Sequence, residues 1–183
     1  MLAEGAAVLV IEKLSHALRR GAKPLAIVAG YGTTADAHHL TASPPDGEGA
    51  QRAMRNAMRM GGVSPADVGY VNAHSTSTQV GDAAEIAALA SIFANRGKGL
   101  AISATKSATG HLLGAAGAIA SIYTIMALRT GILPATLNLE NPDETAAAFD
   151  LVTGSARAKQ VACALVNAFG FGGVNASLLL RAM

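Results

Sequence analysis

The chain has 183 residues, of which 51% are apolar, only 4% aromatic and 14% charged, with a formal net charge of +2. That length and composition suit one packed domain of small side chains and exclude a disordered chain, and the interspersed charges lack the basic stripe that a nucleic-acid backbone requires. The one cysteine, Cys163, excludes an internal disulfide and agrees with a reducing compartment.

The first five residues carry no basic start or cleavage site, so no export signal is expected. Residues 6–11 and 25–28 are short apolar runs that read as buried strands, separated by a basic segment closed by Gly21. Residues 33–49 hold Pro44-Pro45 and Asp46-Gly47 and read as a surface loop. Ala50, Ala53, Met54, Ala57 and Met58 then fall at helical spacing, with Arg52, Arg55 and Arg59 largely on other faces, and Gly61-Gly62 ends that amphipathic helix. A strand over 68–73 delivers His74 at its carboxyl end. The next helix starts near Gly81-Asp82, with Asp82 and Glu85 in a first turn whose dipole favours acids and Ala83, Ile86, Ala87, Ala90 and Phe93 on one face.

Residues 100–103 read as a strand, 104–110 as a polar loop, and 112–128 as an apolar helix studded with Gly114, Gly117 and Ser121. That helix is shorter than a bilayer span, so a buried helix is expected and a membrane span is not. Residues 132–139 read as extended, and the apolar runs 161–168 and 176–180 flank a glycine-rich bend. Alternating strands and helices around a buried helix predict one layered α/β domain over 1–183.

Three groups are candidates for chemistry. His74 lies in Val71-Asn72-Ala73-His74-Ser75-Thr76-Ser77-Thr78, and Lys106 and His111 lie in Ser103-Ala104-Thr105-Lys106-Ser107-Ala108-Thr109-Gly110-His111. Each follows an apolar strand, where open α/β sheets collect ligands. A lone histidine at a strand end is more often structural, yet two imidazoles and an ammonium together can stabilise an oxyanion forming on a thioester or ketone. No metal is expected, because no His-x-x-x-His pair is present and His38-His39 has no acids at ligand spacing. Asn167-Ala168-Phe169-Gly170-Phe171-Gly172-Gly173-Val174-Asn175 does not fit a dinucleotide fingerprint, and Thr105-Lys106-Ser107 lacks the glycines of a phosphate loop. As a hairpin, the bend could present backbone N–H groups to an anion while its phenylalanines gate a pocket.

Taken together, Val71-Asn72-Ala73-His74-x-Thr76-Ser77-Thr78-x-x-Gly81-Asp82, Thr105-Lys106-x-x-Thr109-Gly110-His111-x-x-Gly114-Ala115-Ala116-Gly117 and Phe169-Gly170-Phe171-Gly172-Gly173 resemble, in order and spacing, the elongating β-ketoacyl-(acyl carrier protein) synthases of bacteria and mitochondria. Ala135-Thr136-Leu137-Asn138-Leu139 and Asn141-Pro142-Asp143 extend the likeness, which runs from Glu4-Gly5 to the C-terminus. The resemblance implies the C-terminal half of a thiolase-like layered fold (αβαβα), with a mixed sheet and a buried central helix, in a homodimer. It implies a cytoplasmic or mitochondrial-matrix enzyme of fatty acid synthesis that performs a decarboxylative Claisen condensation of malonyl-(acyl carrier protein) with an acyl thioester. No cofactor is bound by the enzyme itself, since the substrates ride on the phosphopantetheine of acyl carrier protein.

By position, His74 and His111 match the histidines that stabilise the decarboxylating thioester, and Lys106 the lysine that orients the second histidine. Thr76 and Thr78 match the hydroxyls that hold the pantetheine arm. Phe169 matches the gating phenylalanine whose N–H joins the oxyanion hole, with Phe171 beside it. The family's nucleophilic cysteine belongs to the N-terminal half, and Cys163, in an apolar run without a turn, reads as a small hydrophobe. The expectation is therefore the His/His/Lys part of a site, inactive without its complementing half and self-associating when alone. Two departures stand out: Ala120 replaces the usual glutamate of the long helix, and Ser75 replaces a glycine or alanine beside His74. The competing readings are a non-catalytic partner subunit of the chain-length-factor kind and a piece of a polyketide synthase. Retention of both histidines and the lysine speaks against the former.

Overall fold

A computed structural model describes all residues, 1–183. In chain order the elements are α1 (Leu14–Arg19), β1 (Ile27–Ala35), α2 (Glu48–Met60), β2 (Tyr70–Asn72), α3 (Gln79–Phe93), β3 (Ala101–Ser103), α4 (Lys106–Thr109), α5 (Ala116–Thr130), β4 (Ile132–Leu133), α6 (Glu144–Ala147), β5 (Asp150–Leu151), β6 (Arg157–Ala158), β7 (Cys163–Gly170) and β8 (Val174–Arg181).

Six strands form one mixed sheet in the order β1-β8-β7-β2-β3-β5, and β4 pairs with β6 in a separate ribbon. The β1/β8 and β8/β7 pairs are antiparallel, as the tight turn between β7 and β8 demands, whereas β7/β2, β2/β3 and β3/β5 are parallel. A parallel pair needs a crossover, and α3 supplies it between β2 and β3. Strand alternation divides the core in two. Val71, Cys163, Leu165 and Leu179 face α2 and α3, where Met54, Leu89 and Phe93 pack. Tyr70, Ala164, Val166 and Leu180 face α5, against Ala120, Ala127 and Leu128.

Several elements differ from the expectations. Residues 6–11 find no ladder partner and remain extended, with Val8, Val10 and Ile11 exposed. Their apolar pattern is that of a strand, but no strand of the sheet pairs with them. Strand β1 begins at Ile27 and runs on to Ala35, into the stretch read as loop, because β8 pairs with it along that length. Only Ile132–Leu133 of the stretch 132–139 is a strand, and residues 106–109 of the polar loop form a short helix.

The face of α3 that meets the core is Ala84, Glu85, Ala88, Leu89, Ile92 and Phe93, one position round from the expected one. Helix α5 starts at Ala116 after a tight 3₁₀ turn and buries one face only. Leu113, Tyr123 and Met126 are exposed on the other side. The stretch Leu113–Thr130 is long and apolar enough to cross a bilayer; here its small residues Ala120, Thr124 and Ala127 lie on the sheet instead.

Strand β1 and α2 approach closely because β1 carries Gly30 and Gly32 beneath the helix. A Cβ at Gly32 would collide with the carbonyl oxygen of Ala53 and come within 2.8 Å of the Asn56 Cβ. Gly32→Ala should therefore destabilise the fold by about 1–3 kcal/mol, the usual cost of overpacking. Thermal denaturation of this variant beside the parent chain measures it, and an unchanged melting temperature would contradict the packing described.

Candidate functional site

The parallel strands converge on one end of the sheet. Asn72 at the end of β2 sits opposite Ser103 of β3 on one side and Val166 of β7 on the other. The segments that leave these positions carry His74, Lys106 and Phe169 within three residues. His111 follows α4 on the way to α5. Carboxyl ends of parallel strands are where side chains can converge without interrupting the ladder.

The rings of His74 and His111 stand 5.6 Å apart, edge to face at 87°. Phe169 lies 5.6 Å from His74 on another side, tilted at 58°. Lys106 and His111 line a cavity of about 410 Å³ that also takes in Ser75, Thr76, Asp82 and Leu137.

The structure thus brings His74, His111, Lys106, Phe169 and Thr76 to one region. Thr78 bonds to Thr76 across 3.1 Å between the hydroxyls but does not line the cavity. Phe171 sits at the hairpin tip, 82% exposed, and does not join the group.

A buried polar framework holds these positions. Asn72 donates to the Ala120 carbonyl at 3.2 Å and to the Thr124 hydroxyl at 3.3 Å, and accepts from the Thr105 hydroxyl at 3.3 Å. This ties the end of β2 to α5 and to the start of the Lys106 turn. Ala120, where a glutamate is usual in the resembling family, is 3% exposed and contributes only its carbonyl here.

The sequence reading missed Glu85. It is 2% exposed, and its carboxylate accepts the N–H of His74 at 2.9 Å, the N–H of Ser75 at 2.8 Å, the Ser75 hydroxyl at 3.2 Å and the Asn167 side-chain amide at 3.0 Å. Placing Glu85 in a solvated first turn hid this. The signal was present, because Glu85 falls on the same stripe as Ala84, Ala88, Leu89 and Ile92, where a carboxylate survives only with donors.

Burial pushes the His74 imidazole down from its usual 6.5 to about 3, helped by the Lys106 charge and by His111. His111 is lowered too, by burial, by Lys106 and by the chain's amino terminus. Both rings are therefore neutral at physiological pH. The His111 Nδ1 accepts the Leu113 N–H at 3.2 Å, which leaves its proton on Nε2 as a donor.

Burial also lowers Lys106, while Glu85 and Asp82 oppose it. Asp82 is raised, chiefly by burial and then by Glu85, with the N–H groups of Ser77, Thr78 and Thr76 opposing. Cys163 lies within β7, 3% exposed, and burial pushes its thiol up; it has neither the access nor the thiolate character of a nucleophile. No group of three or more His, Cys, Asp or Glu side chains is arranged to hold a metal ion.

A mixed sheet with helices on both faces, and His74, Lys106 and His111 gathered beyond its parallel strand ends, defines a thiolase-like α/β domain. Residues 25–140 match the family described as Beta-ketoacyl synthase, C-terminal domain, and the chain belongs to that family. It is 50% identical over 182 residues to 3-oxoacyl-[acyl-carrier-protein] synthase 2 of Rhizobium meliloti, covering 99% of this chain and 42% of the relative. It is 46% identical over 185 residues to the mitochondrial 3-oxoacyl-[acyl-carrier-protein] synthase of Arabidopsis thaliana, covering 100% and 40%. The chain spans about two fifths of the length of these curated relatives.

Among solved structures, a β-ketoacyl synthase from Burkholderia phymatum superimposes with a TM-score of 0.87 at 38% identity, over 94% of this chain and 41% of that one. The ishigamide ketosynthase/chain length factor does so with a TM-score of 0.94 at 35% identity, over 100% and 44%.

The depressed imidazoles carry a sign. An unfolded chain takes up protons that the folded His74 refuses, so this contribution to stability is complete above pH 6.5 and is lost as the pH falls towards 3. His111 acts in the same direction. Denaturant unfolding between about pH 7 and pH 4 should show stability falling with pH, and His74→Asn should flatten that slope. A slope unaffected by the substitution would contradict the buried neutral imidazole.

Proposed function

We propose that this chain supplies the His/His/Lys part of a condensing enzyme of fatty acid synthesis, an acyltransferase that performs a decarboxylative Claisen condensation. The observation that carries the reading is the edge-to-face pair of neutral imidazoles, His74 and His111, 5.6 Å apart, with Lys106 beside His111 on one cavity.

Loss of carbon dioxide from a malonyl thioester breaks a carbon–carbon bond and moves its electron pair into the enolate, placing negative charge on the thioester oxygen. Neutral N–H donors aimed at that oxygen bind the charge only as it forms, which lowers the barrier instead of stabilising the substrate. Burial keeps both rings unprotonated, and the positive field of Lys106 acts in the same direction. The enolate carbon then attacks the carbonyl of an acyl group held as a thioester on a cysteine outside these 183 residues. That carbon–carbon bond forms as the thiolate leaves.

Phe169, packed on His74, gates the acyl side and offers its backbone N–H, with Phe171 beside it on the hairpin. Thr76, with Thr78 bonded to it, holds the pantetheine arm. The carrier of that arm is acyl carrier protein, a reading supported by a structural relative solved as a type II ketosynthase with its acyl-carrier protein at 31% identity. No further cofactor takes part, and the assembly is a homodimer or a complemented pair of halves in the cytoplasm or mitochondrial matrix.

A second reading, a chain-length-factor-like partner subunit, is favoured by the superposition on a ketosynthase/chain length factor. A subunit without catalysis has no use for two paired neutral imidazoles beside an ammonium, which favours the enzyme.

In the complete enzyme, His74→Ala or His111→Ala should lower malonyl-thioester decarboxylation by about 10²- to 10³-fold, the usual loss for one oxyanion donor. Release of carbon dioxide from labelled malonyl-(acyl carrier protein) measures it, and parental rates in both variants would refute the assignment.

A further inference from the structure

A buried hydrogen-bonded chain crosses from the hairpin to the His74 turn. The Ser177 hydroxyl of β8 donates to the Asn167 side-chain oxygen of β7 at 2.9 Å. The Asn167 amide nitrogen donates to Glu85 of α3 at 3.0 Å, and Glu85 in turn receives the two backbone N–H groups of His74 and Ser75 and the Ser75 hydroxyl. Glu85, Asn167 and Ser177 are each no more than 2% exposed, and Asn167 and Ser177 are direct cross-strand partners.

Two features make this more than a set of satisfied polar groups. The first is direction. With its oxygen occupied by the Ser177 hydroxyl, the Asn167 amide must turn its nitrogen to Glu85; a flipped amide would set carbonyl against carboxylate. The orientation of a side chain on β7 thus depends on a hydroxyl on β8.

The second is what the chain joins. Asn167 lies two residues before Phe169 on the same strand face, and the Phe169 ring rests on His74. Glu85 makes no salt bridge, so these four donors hold its carboxylate at hydrogen-bond distance while the Lys106 charge acts on it from further off. The Ser75 hydroxyl is one that a glycine or alanine at this position could not supply.

We infer that Ser177, Asn167, Glu85 and Ser75 form a positioning relay that fixes the His74 backbone relative to the strand bearing Phe169, with Ser75 as a positioning residue. The inference rests on the proposed role of His74. The titratable groups around His74 are Glu85 of α3, Lys106 of α4 and His111 ahead of α5. Of these, Glu85 is the one whose local neutralisation the relay sets.

The test uses the complete condensing enzyme with Ser75→Ala, Ser177→Ala, both together, and Ser75→Thr. Loss of a hydrogen bond to a charged group should lower kcat for malonyl-thioester decarboxylation about tenfold in Ser75→Ala with KM unchanged. The acid limb of its pH–rate profile should move to higher pH, because a less neutralised carboxylate favours the protonated imidazole. Ser75→Thr should restore both. Ser177→Ala should lower kcat similarly, and the double variant should lose less than the product of the two single losses, as coupled groups do.

Parental kcat and an unmoved acid limb in both alanine variants would overturn the relay, as would a Ser75→Thr enzyme that behaves like Ser75→Ala. His74→Ala measured alongside separates the two failures. If it is inactive while the serine variants match the parent, the relay alone falls; if it is fully active, the functional reading falls and the relay with it.

Discussion

Parallel pairing of β2 with β3 on one side and β7 on the other, with Asn72 opposite both Ser103 and Val166, fixes where three distant stretches of chain end. Because strand side chains alternate, a one-residue slip would move Asn72 from the α5 face to the α2/α3 face and carry Val71 the other way. Asn72 would then lose Ala120 and Thr124, and the segments bearing His74 and Lys106 would leave the sheet out of step. The alternation of Val71 and Leu165 into one core and Tyr70 and Val166 into the other is therefore also what sets the spacing of the chemistry.

On that frame the charges are arranged by mutual dependence. Burial and then Lys106 depress both imidazoles, while burial works against Lys106 itself and Glu85 and Asp82 sustain it. Glu85 is held in turn by the backbone of the His74 turn. Removing any one member changes the ionisation or the placement of the others, as expected of groups coupled in a buried polar network, in which the His74 Nδ1 and one Asp82 oxygen are left without a hydrogen-bond partner.

Much of this was legible in the residues. Short apolar runs ending in His74 and in the Lys106 turn marked two strands, and the flanking glycines of Phe169 and Phe171 marked the hairpin, but the parallel pairing was not legible in them. What else was not legible lay in burial. Val8, Val10 and Ile11 carry a strand pattern, yet whether a strand forms depends on a neighbour that local pattern does not specify. Glu85 was misplaced because dipole and solvation arguments consider only its own helix, whereas its partners come from residues ten and eleven positions before it and from β7. Likewise Thr76 and Thr78 are two residues apart, but only the fold shows that one faces the cavity and the other does not.

Helix α5 joins one buried face to one uncovered face that includes Tyr123 and Met126. Any surface that covers those side chains acts thermodynamically as a ligand of the native state, and its free concentration enters the folding equilibrium by mass action. The same helix carries the carbonyl and hydroxyl that Asn72 uses, so occupancy of its outer side and rigidity at the end of β2 are linked quantities. A site built on that strand end is only as firm as the helix that braces it.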